Sequence, residues 1–219
     1  MNKLLAILLV FGLVLSGCLT PAKSTNNLNP DTIVNTTPEE IALRLASDQT
    51  TQILEPNYYF YKGHPLLGLN ESRYFDVFQF KPIPIGQKTG PKVTIVRAKN
   101  IEDAESLFTE LKMYYFDDCK WGLSACFKPL EQNRVNVGNE MGSVYRSAEW
   151  CSSSHNQGCG KNDAYVVFFR RNNVIVLLES YMAFNTGIFG DYPNTRDPEA
   201  SEAQDKLGKY AVLIDEAIH

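Results

Sequence analysis

Cys151 to Cys159 reads CSSSHNQGC, with His155 midway between two cysteines and Ser152, Ser153 and Ser154 beside it. Three chemistries fit these residue types. Two thiolates and an imidazole at i, i+4 and i+8 can ligate a metal, with Cys119 and Cys126 to complete the set. A serine next to a histidine can act as nucleophile and base. Two cysteines in an oxidising compartment can close a disulfide. Structural zinc sites favour two to four residues between paired cysteines. Here six residues separate Cys119 from Cys126 and seven separate Cys151 from Cys159, which disfavours zinc. A catalytic serine needs a strained G-x-S-x-G elbow and a carboxylate to orient its base, and neither accompanies the serine triplet. The choice therefore turns on the compartment.

The N-terminus reads MNKLLAILLVFGLVLSGC: one cation at Lys3, an apolar run from Leu4 to Leu15, then Ser16 and Gly17 before Cys18. Twelve apolar residues at about 1.5 Å each reach roughly 18 Å, short of the roughly 30 Å hydrocarbon core, so the run reads as a secretory signal and not a span. Leu15-Ser16-Gly17-Cys18 resembles the lipobox of prokaryotic lipoproteins. The resemblance implies cleavage after residue 17 and a diacylglyceryl group on the Cys18 thiol. It places the protein on the outer face of the cytoplasmic membrane or in the cell envelope, with the membrane as a partner through that lipid. Two acyl chains suffice for stable anchoring where one is marginal. Residues 18–37 are rich in Thr, Asn and Pro and read as a flexible tether, leaving 38–219 as one extracytoplasmic domain.

Export makes the four remaining cysteines two local disulfides, Cys119 with Cys126 and Cys151 with Cys159, with crossed pairing left open. Loops this short contribute roughly 2 to 3 kcal/mol each, so such bridges clip loops and do not hold the fold. On this reading the CSSSHNQGC loop is a stapled hairpin tip. Asn35 and Asn70 open N-glycosylation sequons, a weak signal because such tripeptides recur by chance.

Removing residues 1–17, which carry one of the 21 basic side chains and none of the 25 acidic ones, moves the formal charge from −4 to −5. An acidic chain with no basic run and no Gly-rich phosphate loop disfavours nucleic acid and nucleotide cofactors. No cofactor is expected. Asp191, Asn194, Asp197 and Glu199 form an oxygen-rich stretch, but the calcium-loop spacing D-x-[DN]-x-[DN]-G is missing, and helix capping accounts for Asp197. No metal site is expected. His64, in KGHPLLG, reads as a loop histidine beside a turn-forming proline, and His219 as a frayed terminus. Asp76, Asp117 and Asp118 are carboxylates that only the fold can bring together.

Aromatic residues are the other excess. Tyr58, Tyr59, Phe60 and Tyr61 lie in irregular chain, Tyr114, Tyr115 and Phe116 close a helix, and Phe189 and Tyr192 lie in a late loop. Such residues cover core edges in many proteins. Tyrosine also suits recognition, since it offers a large contact area with a polar handle. Tyr58, Tyr59, Tyr61 and Tyr192 are the candidate binding surface.

The elements that position these residues follow from periodicity. Thr37-Pro38-Glu39-Glu40 opens a helix with a capping box, and Ile41, Leu45, Ile53 and Leu54 extend it to Pro56. Residues 74–81 and 92–98 read as strands. Asn100 caps the strongest helix, with Ile101, Ala104, Leu107, Phe108, Leu111 and Tyr115 on one face. Residues 142–150 and 164–171 read as strands, and VVFFRRNNVIVLLESY as a hairpin turning at Asn172-Asn173. Asp197-Pro198-Glu199 caps a last helix with Leu207, Ala211, Ile214 and Ile218 inward. The expected fold is α+β, with a mainly antiparallel sheet of five or six strands and two or three helices. The expected role is a non-catalytic binding domain for a protein or envelope component. The alternatives are a small hydrolase using His64 or His155 with nearby carboxylates, and a structural envelope protein.

Overall fold

In the computed structural model, which describes residues 22–47, 51–54, 64–67, 75–85, 90–116, 128–129, 135–151, 159–186 and 198–219, the run AYVVFFRRNNVIVLL forms two adjacent central strands. Nearly every side chain in the run is buried, because both faces of these strands are covered. Tyr165, Val167, Phe169, Val174, Val176 and Leu178 point to one face, and Val166, Phe168, Ile175 and Leu177 to the other. A half-buried strand alternates apolar and polar residues; this pair does not, and the unbroken run reports its central position.

Chain order is β1 (Ala22–Lys23), α1 (Pro38–Leu45), β2 (Thr51–Leu54), β3 (Phe75–Pro84), β4 (Lys92–Ala98), α2 (Ile101–Phe116), β5 (Lys128–Pro129), β6 (Val135–Asn136), β7 (Glu140–Cys151), β8 (Cys159–Arg171), β9 (Val174–Thr186) and α3 (Pro198–Ala217). The main sheet has the order β2-β3-β4-β9-β8-β7-β5, with every neighbouring pair antiparallel. The fold is α+β, as expected. Five long strands carry the sheet, and the short β2 and β5 sit at its edges. A separate parallel pair joins β1 to β6.

α2 lies on one face of the sheet, with Ala104, Leu107, Phe108, Leu111 and Tyr115 packed on Val96, Val166, Phe168, Ile175 and Leu177. α1 and α3 cover the other face, with Ile41, Ala42, Leu207, Ala211 and Ile214 against Val93, Ile95, Val167, Phe169 and Val176. Burying each of the Val, Leu, Ile and Phe side chains among them stabilises the fold by roughly 1.5 to 3 kcal/mol. Gly142 admits the Phe168 ring on the α2 face: a Cβ there would lie 2.4 Å from its Cζ.

Two of the three expected caps are present, and the third, Asp197, lies outside the described residues. The Glu40 N–H donates to Thr37 Oγ1 at 3.2 Å, and the Thr37 N–H donates to Glu40 Oε2 at 2.7 Å. At α2 the Asp103 N–H donates to Asn100 Oδ1 at 2.7 Å. The hairpin turns at Asn172-Asn173, where Asn172 alone of the described non-glycine residues has positive φ, 55°.

Three expectations need correction. α1 stops at Leu45 instead of running to Pro56, and Ile53 and Leu54 belong to β2, paired with Pro82 and Lys81 of β3. Ser47 turns its hydroxyl back to the Arg44 carbonyl at 2.7 Å, and the β-branched Thr50 and Thr51 that follow favour extended chain. His219 is not frayed, for the Thr36 hydroxyl donates to its carbonyl at 2.9 Å and Ile218 beside it is buried.

The third correction concerns residues 22–37, which are not a tether but a strap laid along the domain. Ala22 and Lys23 pair with Val135 and Asn136. Asn26 Nδ2 donates to the carbonyls of Asp215 and Ile218 at 2.5 and 2.8 Å. Val34 is 1 % exposed. The strap escapes notice in sequence because it is fastened largely by side-chain amides, Asn26 of its own and Asn172 and Asn173 of the distant hairpin turn.

Candidate functional site

Side chains with chemistry in them gather on the α2 face where that helix ends. Lys92 and Glu179 are register partners on β4 and β9, so they share a face, and their charged ends meet at 3.1 Å with both side chains nearly buried. A charge pair in such a place is costly to desolvate and holds only while both partners remain. His64 lies above it in a short turn, 6 % exposed, edge-on to the rings of Tyr114 and Tyr115 at centroid distances of 4.8 and 5.9 Å.

The imidazole is locked at both nitrogens. The Leu66 N–H donates to Nδ1 at 3.1 Å, which requires that nitrogen to be unprotonated. Nε2 then carries the hydrogen, and it lies 3.1 Å from the Tyr115 hydroxyl. A second proton on Nδ1 would break the Leu66 bond and bury a cation. Burial, with the Lys92 ammonium adding to it, pushes the His64 pKa down to about 3. The ring is thus neutral at ordinary pH and poorly suited to abstracting a proton.

That pKa has a consequence for stability. Between pH 3 and 6.5 the unfolded chain binds a proton at His64 and the folded chain does not, so stability rises with pH across this window and falls on acidification. The slope is about 1.4 kcal/mol per pH unit. Glu140 acts in the same direction, since hydrogen bonds from Arg170 and then Lys112 hold its carboxyl below the ordinary range. His64→Gln separates the two: urea unfolding at pH 7 and pH 4 should show the wild type losing about 3 kcal/mol more than the variant. Parallel losses would refute the assignment.

Beyond the Lys92–Glu179 pair β9 has no β4 partner among the described residues, and β7, β8 and β9 continue as a three-stranded ribbon to Cys151, Cys159 and Thr186. The register sets Cys151 directly opposite Cys159. Ser152, Ser153, Ser154 and His155, in the loop joining them, lie outside the described residues. So do Cys18, Tyr58, Tyr59, Tyr61, Asn70, Asp117, Asp118, Cys119, Cys126, Asp191, Tyr192, Asn194 and Asp197.

Other candidates are engaged elsewhere. Asp76 pairs with Arg97, Nε to Oδ2 at 2.9 Å, on the exposed start of β3. Asn35 is exposed, and its carbonyl accepts a bond from Arg97. Glu199 lies in the first turn of α3. Among the described residues no group of three or more His, Cys, Asp or Glu is placed to hold a metal, and no helix is long and apolar enough to cross a membrane.

The Lys92–Glu179 pair escapes a reading of the sequence because it depends on β4 lying beside β9, with the whole of α2 and β5–β8 between them in the chain. The histidine in KGHPLLG carries no local sign of burial either. Compared with protein-family models, curated proteins and solved structures, the chain matches none.

Proposed function

We propose that this protein is a lipid-anchored extracytoplasmic domain that works by presenting a binding surface to a protein or envelope partner. The observation that carries the reading is the locked state of His64. With Nδ1 accepting from Leu66, Nε2 against Tyr115 and a pKa near 3, it serves the packing of α2. This weighs against the hydrolase alternative, whose other histidine is His155. The ribbon of β7, β8 and β9 supports presentation, since its strands run to Cys151 and Cys159, beyond the last β4 pairing. Leu67, Met113 and Phe116 are large apolar side chains exposed beside or on α2 and add to an outward-facing surface.

The facing register of Cys151 and Cys159 supports a bridge that staples the ribbon tip. Unreduced protein from its own compartment should show no titratable thiol, and its digest should contain a peptide joining Cys151 to Cys159 and another joining Cys119 to Cys126. Four free thiols with bound zinc would overturn the pairing.

Partner recovery from native membranes tests the functional reading. Replacing Tyr58, Tyr59 and Tyr61 together with serine should reduce the recovered partner while circular dichroism stays unchanged, and His155→Ala should leave both unaltered. Loss of biological function in His155→Ala, with folding and partner recovery intact, would favour the hydrolase.

A further inference from the structure

The strap changes how far this domain can stand from a bilayer. A flexible tether over residues 18–37 would give 19 residue steps, or up to about 65 Å of reach. The structure instead fastens the chain from Ala22 onward. Ala22 and Lys23 pair with β6, the Ser24 N–H donates to the Asn136 carbonyl at 3.2 Å, and Thr25 reaches Glu216 Oε1 through both its N–H and its hydroxyl. Asn26 then bonds two carbonyls at the end of α3. Four residue steps remain between Cys18 and Ala22, a leash of at most about 14 Å. A domain of this size has a radius of gyration of about 16 Å and is roughly 40 Å across. The leash is too short to let it turn over.

We infer that the anchored domain lies side-on against the lipid headgroups, with the strap and α3 toward the bilayer and α2 facing away. The inference rests on the lipid anchor proposed above. Ala22 pairs with Val135, whose Cβ lies 3.7 Å from the Cβ position of Gly208, so the leash leaves the domain beside the middle of α3. α2 is on the opposite face of the sheet. The outer stripe of α3 is Asp205, Lys209 and Leu213, all exposed, with Lys23 exposed on the strap beside it. Leu213 offers an apolar contact, and Lys23 and Lys209 offer cations to anionic headgroups, each worth about 1 kcal/mol near such a surface. The ribbon and the α2 face are left free for a partner.

Lysine acylation read by mass spectrometry tests this orientation on the full lipidated protein in vesicles of phosphatidylglycerol and phosphatidylethanolamine. The references are the Cys18→Ser protein free in solution and a lipidated variant with about 20 Gly/Ser residues inserted between Thr20 and Pro21, enough to add roughly 25 Å of reach. Lys23 and Lys209 should react several-fold more slowly in the anchored protein than in either reference, while Lys112 on α2 reacts alike in all three. Equal reactivity of Lys23 and Lys209 in a protein whose mass includes the lipid would overturn the side-on arrangement alone. A native chain without lipid that does not join the vesicles would overturn the anchor, and the arrangement with it.

Discussion

Asp215→Ala should lower the unfolding free energy by about 3 to 5 kcal/mol, a large share of the 5 to 15 kcal/mol typical of a domain. Asp215 is fully buried on α3 and takes both ends of the Arg171 fork, Nε to Oδ1 at 2.8 Å and a terminal nitrogen to Oδ2 at 2.5 Å. It also accepts the Gly138 N–H at 3.2 Å. Gly138 is there because φ is +68° and a Cβ would strike the Arg170 carbonyl at 2.5 Å. Removing the carboxylate strands a buried guanidinium and a backbone donor together. The loss comes from the orphaned charge, so the double variant Arg171→Met, Asp215→Leu should recover most of it. Urea denaturation of the wild type and the two variants decides the matter: a loss below about 1 kcal/mol in Asp215→Ala would mean that the pair does not fasten α3.

Asn173→Ala should cost about 2 to 4 kcal/mol and act chiefly on the strap. The Asn173 side chain accepts the Val34 N–H at 2.7 Å and donates to the carbonyls of Val34 and Ala98 at 3.2 and 2.8 Å. Next to it, Asn172 donates to the carbonyls of Asn29 and Thr32 at 2.9 and 2.7 Å. One two-residue turn therefore secures three residues of a segment that has little apolar area of its own, through four hydrogen bonds. Alanine leaves three buried backbone groups without their partners. Amide hydrogen exchange should quicken at least tenfold over residues 26–34, since each 1.4 kcal/mol of local opening is a factor of ten. Exchange over β8 and β9 should change less. Unchanged exchange in the strap would show that Asn173 is not its fastening.

What the sequence shows well is whatever depends on neighbours in the chain. The capping box at Thr37, the face of α2 and the turn at Asn172-Asn173 are legible because three- and four-residue spacing, or a two-residue turn between β-branched runs, suffices to specify them. What it conceals depends on pairing across long separations. Val34 packs because Asn173 holds it, 139 residues away, and Lys92 meets Glu179 only because β4 and β9 are adjacent. The strap reads as disordered by composition, since low apolar content is the usual mark of a linker, yet side-chain amides bonding to backbone groups fix it and seat Val34 in the core. His64 is the same case. Its proline and glycine neighbours announce a turn, while its burial comes from Tyr114 and Tyr115 at the end of a helix beginning 37 residues later.

The proposed presentation and orientation both require a lipid on Cys18, and one measurement tests for it: intact mass together with detergent-phase partition of the protein extracted from its native cells, beside Cys18→Ser. The account predicts a mature chain beginning at Cys18, heavier than the polypeptide by a lipid, recovered in the detergent phase, with Cys18→Ser unprocessed or shifted to the aqueous phase. A native chain of unmodified polypeptide mass, or a Cys18→Ser protein processed and partitioned like the wild type, would contradict it.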